Sequence, residues 1–138
     1  VTNRERLIAL AEECERAEGP SRELDRKIFE AATGLSASYQ ALGFSGKSVT
    51  RHMDTPRYSA SIDAALTLVP ADLWWLQNLI ERRSSIIFAG ETHAPLGGFN
   101  CALQHVDGGR LTSGFAKTPA LALCAAALKA RARAEGEE

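Results

Sequence analysis

LWWLQNLI, residues 73–80, decides the architecture. Side chains alternate across a strand. Leu73, Trp75 and Leu79 then point one way and Trp74, Leu76 and Ile80 the other. Apolar side chains on both faces predict a strand covered on both sides, with the two tryptophans in two core layers. SSIIFAGETH (84–93) repeats the pattern, with Ile86 and Phe88 against Ile87 and Ala89 and Arg82-Arg83 at the turn between. Pro95, Gly97 and Gly98 mark a second turn before FNCALQHV (99–106). Gly108-Gly109 predicts a tight hairpin leading into RLTSGF (110–115). The centre of the chain therefore reads as an antiparallel meander of three to four strands.

Helices flank this meander. Leu7, Ile8, Leu10, Ala11, Cys14 and Ala17 recur at helical spacing and predict a helix over about 3–18, stopped by Gly19-Pro20. Ser21 caps a second helix through its hydroxyl, Glu23 suits its first turn, and Gly34 ends it. Ser61 caps a third, IDAALTLV (62–69), closed by Pro70. Thr118-Pro119 opens the last: a threonine cap, then proline where no N–H is missed. ALALCAAALKARARA (120–134) is strongly helix-forming, and the acidic EGEE end frays. Residues 35–57 read as a long surface loop, and they hold the densest basic group of the chain: Lys47, Arg51, His52 and Arg57. Helices before and after a strand meander give an α+β fold. Strands covered on both sides make it a three-layer α/β/α sandwich with an N-terminal helical hairpin and a C-terminal helix, in one domain spanning 1–138.

Composition narrows the function classes. The 138 residues carry a net charge of −1 and are 45 % hydrophobic and 24 % charged, as in ordinary globular domains. A chain of this size buries roughly two-thirds of its unfolded surface, so neither metal nor disulfide is needed to hold it. A basic excess, the usual footprint of general nucleic-acid binding, is missing. Cys14, Cys101 and Cys124 are odd in number and far apart, which reads as reduced thiols in a cytosolic protein. The apolar runs fall far short of the roughly 20 residues of a membrane span, and the charged VTNRERLIALAEECERAEG does not read as a secretory signal.

Three segments, RELDRKIFEAA (22–32), YSASIDAALTLVP (58–70) and TPALALCAAALKARA (118–132), resemble the phage ABA sandwich domain family. TPALALC and IDAALTLV carry the resemblance most specifically. Its members occur in phages and prophages, and its name refers to α/β/α layering. The resemblance implies a phage or prophage origin, hence a bacterial host cytoplasm, and a sandwich fold. It carries no catalytic residue over to this chain.

Several motifs invite a catalytic reading. ALGFSGKS (41–48) satisfies a relaxed phosphate-loop pattern. That loop needs a buried strand before it and a helix opening at the Lys-Ser, whose N–H groups cradle phosphates. Here LSASYQ is a weak strand, VTRHMDTPR runs into a proline at position 56, and no partner aspartate comes after a strand. Lys47, Ser48, Arg51 and Arg57 remain as a non-hydrolytic anion site on a Gly/Ser-rich loop. For a metal, Cys101 and His105 share a strand face but lie about 13 Å apart along it, and a hairpin centred on 96–97 sends His93 to the other face from Cys101. For a nucleophile triad, His105 and Asp107 share a face, but Ser113 has no nucleophile elbow. The sequence thus predicts no catalytic residue, no metal and no cofactor. It reads as a small phage or prophage accessory protein that binds a host or phage protein or a small anionic ligand. The alternative is a structural or assembly component acting through homo-oligomerisation, with the alanine-rich last helix as a dimer seam.

Overall fold

The computed structural model describes residues 2–70, 72–81 and 98–136. The expected strand 84–93, Arg82-Arg83 and His93 lie outside the described residues. Helix α1 spans Asn3–Arg16 and α2 spans Arg22–Thr33. Strands β1 (Ser38–Leu42) and β2 (Ser48–His52) come next, then α3 (Ile62–Leu66), β3 (Trp74–Glu81), β4 (Phe99–His105), β5 (Leu111–Ala116) and α4 (Pro119–Gly136). The class is α+β, with an antiparallel β3–β4–β5 meander, an N-terminal helical pair and a C-terminal helix.

The caps work as the residue types dictate. Thr2 and Glu5 form a reciprocal capping box on α1. Ser21 accepts the Leu24 N–H, Ser61 that of Ala64, and Thr118 that of Leu121. Gly34 closes α2 at φ 75°, a left-handed conformation that costs glycine little. The third helix is shorter than expected. Beyond Leu66 the chain tightens into turns, with Leu68 bonded to Ala65 and Val69 to Leu66.

Helix α4 is the centre of the molecule. Leu121 through Leu128 are all fully buried, as are Ala130 and Ala132. A helix apolar all round has to be enclosed. The meander packs on one side of α4, and α1 and α3 pack against it as well. Small residues permit the close approach to the sheet. A Cβ on Gly114 would lie 2.5 Å from the Ala122 carbonyl oxygen and 2.7 Å from the Ala125 Cβ. Thr112 Oγ1 donates to the Ala126 carbonyl across the same seam (3.3 Å).

Among the described residues the two faces of the sheet are covered unequally. Trp74 is 2 % exposed, but Trp75 is 49 % exposed. Among the described residues, α4 covers the Trp74 face, and the other helices do not cover the Trp75 face. Register corrects the expected alternation along β3. A bulge between Leu76 and Asn78 inserts Gln77 and flips the parity beyond it. Leu79 therefore joins Trp74 and Leu76, opposite Cys101, and packs on the core. Ile80 joins Trp75 on the exposed face.

The outer edge of β5 is closed by side chains. Arg133 Nη1 donates to Leu111 O (3.0 Å), Lys129 Nζ to Ser113 O (2.9 Å), and the Phe115 N–H donates to Glu15 Oε2 (3.1 Å). Lys129 and Glu15 also pair at 3.1 Å. Four residues of helix rise about 6 Å and two of strand about 7 Å, so residues 129 and 133 match 113 and 111. This edge offers no ladder to another chain.

Candidate binding arm

The stretch 35–57 is not the loop its polarity predicts. It holds a two-stranded antiparallel hairpin, with Ser38 opposite His52 and Leu42 opposite Ser48. At the tip, the Gly46 N–H donates to Gly43 O (3.0 Å) and the Gly43 N–H to Lys47 O (2.9 Å). Gly46 sits at φ 78°. This is a three-residue turn closed by a left-handed residue, which explains the glycine without any phosphate. The Gly-Lys-Ser run leads into β2 and not into a helix, so the geometry of a phosphate loop is absent here.

At its base the arm is held firmly. The Met53 N–H donates to Ala37 O (2.7 Å), and the Ala37 N–H to Glu30 Oε2 (3.0 Å). Beside it lies a buried ionic cluster. Asp25 Oδ2 accepts from Arg22 (2.8 Å), and Asp25 Oδ1 accepts from the backbone N–H (2.8 Å) and hydroxyl (2.7 Å) of Ser59. Arg22 also donates to Thr55 O (2.7 Å) and Asp54 Oδ1 (3.2 Å). A buried carboxylate is tolerated when paired in this way, and it fixes where 54–59 leaves the arm. Beyond that base, no other described helix or strand packs against β1 or β2.

The two faces of the arm differ. Ser38, Gln40, Leu42, Ser48, Thr50 and His52 share one. There the polar groups satisfy one another: Ser38 Oγ with His52 Nδ1 (3.0 Å), Gln40 Nε2 with Thr50 Oγ1 (3.1 Å), and Ser48 Oγ donating to Gln40 Oε1 (2.8 Å). Tyr39, Val49, Arg51, Lys47 and Met53 fall on the other. Tyr39, Val49 and Met53 are exposed there, and at the tip Leu42 is 80 % exposed and Phe44 fully so.

Of the four sequence-derived anion residues, the hairpin brings Lys47 and Arg51 to one face, about 13 Å apart along the strand. Ser48 lies on the opposite face, and Arg57 lies past the hairpin, next to buried Tyr58. They do not converge on one small anion. They present two cations to an extended surface. Tyr39, Leu42, Phe44, Val49 and Met53 are the surface residues that the loop reading misses. The signal for them is SYQAL and SVTRH flanking a short glycine-containing turn.

The other constellations do structural work. His105 Nδ1 lies 3.1 Å from Asp107 Oδ2, and the His105 ring packs against the edge of Trp74 (4.9 Å between centroids). The Gly109 N–H and then the charges of His105 and Arg110 hold the Asp107 carboxyl below its ordinary range. Ser113 pairs with Ala102 and so lies on the face opposite His105. The triad is not assembled. Cys14, Cys101 and Cys124 are free and buried, and burial pushes the Cys101 thiol up to about 11. Contact with Cys14 and burial raise the Cys124 thiol too, and its Sγ donates to Tyr58 O (3.1 Å). All three are buried core thiols, unsuited to nucleophilic attack. Among the described residues no cluster of three His, Cys, Asp or Glu side chains forms a metal site, and no helix is long and apolar enough to cross a membrane. Comparisons of the chain with protein-family models, curated proteins and solved structures find no match.

Proposed function

We propose that this chain is a small, non-catalytic accessory protein that acts by binding another protein through the β1–β2 arm. One observation carries the reading. The arm is hydrogen-bonded at its base, stands clear of the other described elements, and exposes apolar and cationic side chains on one face. A lone two-stranded hairpin is marginal in water, and exposed apolar side chains gain free energy when a partner covers them. The resemblance to phage ABA sandwich segments supports a phage or prophage setting, and so the cytoplasm of a bacterial host.

The test is a pull-down from bacterial lysate with the immobilised chain and its Lys47→Glu/Arg51→Glu variant. Both residues are exposed, so the variant keeps the wild-type circular dichroism spectrum. The expected result is a protein retained by the wild type, released as salt rises, and lost from the variant. Equal retention by both would remove the cationic face from the account. Turnover of ATP or GTP that disappears in Lys47→Ala would overturn the non-catalytic reading.

A further inference from the structure

We propose that the partner of the arm is a second copy of this chain, and that the arm of each copy lies on the exposed Trp75 side of the other's meander. The inference rests on the binding role given to the arm above.

The chain carries both halves of such a contact. The first is the arm face with Tyr39, Val49 and Met53, with Phe44 exposed at the tip, where Leu42 is exposed on the other face. The second is the Trp75 face of the meander. There Trp75, Gln104 and Leu111 form one row across the three strands. Leu73 and Val106 form the next, joined by the Val106 N–H to Leu73 O bond (2.8 Å). Leu73, Trp75, Val106 and Leu111 are all exposed. Contiguous exposed apolar side chains of this kind mark an interaction surface.

Charge selects the occupant. From Ala31 to Met53 the chain has no Asp or Glu, and it carries Lys47 and Arg51. The whole chain has 16 basic and 17 acidic side chains, so the remainder holds 14 against 17, a net −3. At the same end of the apolar rows, Asp72 precedes Leu73, and Asp107, already paired with His105 (3.1 Å) and Arg110 (3.4 Å), follows Val106. An apolar, cationic arm thus meets an apolar face, with Asp72 beside it, on the net acidic remainder of the same chain. Pairing through the outer edge of β5 is closed off by Arg133, Lys129 and Glu15. Reciprocal arm-on-face contact closes a two-fold dimer without leaving either surface open.

The experiment uses the full chain in three forms: wild type, an arm variant (Leu42→Ser/Phe44→Ser) and a face variant (Trp75→Lys). Sedimentation equilibrium gives the mass, and circular dichroism checks that each is folded. The wild type is expected as a dimer. Each variant is expected to dissociate at least about tenfold more readily, as losing large apolar contacts implies. A second arm of the experiment traps the contact. A Ser45→Cys chain mixed with a Leu111→Cys chain, under mild oxidation, is expected to give the mixed covalent pair in preference to either self-pair. The three native thiols are buried and do not compete. A wild type of single-chain mass at every concentration overturns the inference. So does preferential Ser45→Cys or Leu111→Cys self-pairing, which would mean arm-to-arm or face-to-face contact. If the wild type is monomeric yet the arm variant still loses a lysate protein, the second-copy assignment fails while the binding role of the arm stands. If neither a dimer nor a lysate protein depends on the arm, both fail.

Discussion

Replacing Trp74 and Trp75 separately by alanine measures the layer order. Both are tryptophan, adjacent, and in one strand, so propensity effects cancel. Trp74 is 2 % exposed and Trp75 49 %. A buried tryptophan removes about 150–250 Å² from water, which at about 25 cal/mol per Å² amounts to about 4–6 kcal/mol. Partial relaxation around the cavity brings the expected cost of Trp74→Ala to about 3–5 kcal/mol. That includes the edge contact with His105 and the Arg133 guanidinium 6.0 Å from the ring centroid. Trp75 has about half its surface to lose, so its replacement costs about 1–2 kcal/mol. The assay is urea unfolding followed by far-ultraviolet circular dichroism, since fluorescence would change its reporter. It is run in the Leu42→Ser/Phe44→Ser background, so that association does not add to apparent stability. With a urea m-value of about 1–3 kcal/mol/M, Trp74→Ala lowers the midpoint by about 2 M and Trp75→Ala by less than half as much. Equal midpoints for the two variants would refute the unequal burial of the two faces.

Other consequences stem from the same packing. Gly114→Ala forces a methyl into the α4 seam and is expected to destabilise by about 1–3 kcal/mol, read as a lowered melting temperature. Asp25→Ala strands the Ser59 N–H and the Arg22 guanidinium. It is expected to cost about 3 kcal/mol, the low end for a broken buried pair because Arg22 is partly exposed, and to speed amide exchange through residues 38–52. The three thiols are expected to resist a thiol-specific reagent in the folded protein and to react together on unfolding; rapid labelling of Cys101 in the native state would contradict its burial and raised pKa. Asp107 has a folded pKa below the ordinary 3.8, so its contribution is complete above that value and is lost as pH falls through the lower folded value. Asp107→Asn should flatten the acid limb of the stability profile in that window.

The legible part of the sequence is local. Ser21, Gly34, Ser61 and the Thr118-Pro119 pair place helix ends because each acts on backbone groups within a turn of itself. The arm is not legible as a hairpin because both of its faces are solvent-exposed. SYQAL and SVTRH then show no core-directed alternation, and the polar side chains that tie the strands together pair only once the register is known. Strict alternation misassigns the faces of β3 past Leu76 because one bulged residue, Gln77, inverts parity, and nothing in LWWLQNLI marks it. Apolar content alone implies covering on both sides. The alanine-rich helix takes one face, and among the described residues the other helices do not take the second. At the site, the cations Lys47 and Arg51 are visible as composition, and their separation from Ser48 and Arg57 is a matter of register.

The most direct test of the arm as the contact element compares the immobilised wild type with its Leu42→Ser/Phe44→Ser variant. Both are challenged with soluble wild-type chain and, separately, with bacterial lysate. Both positions are exposed, so the variant remains folded, with an unchanged circular dichroism spectrum. Removing two large apolar contacts, each worth roughly 1.5–3 kcal/mol when fully buried, is expected to cut retention of the bound species at least about tenfold. The same species retained equally by both surfaces would contradict the account.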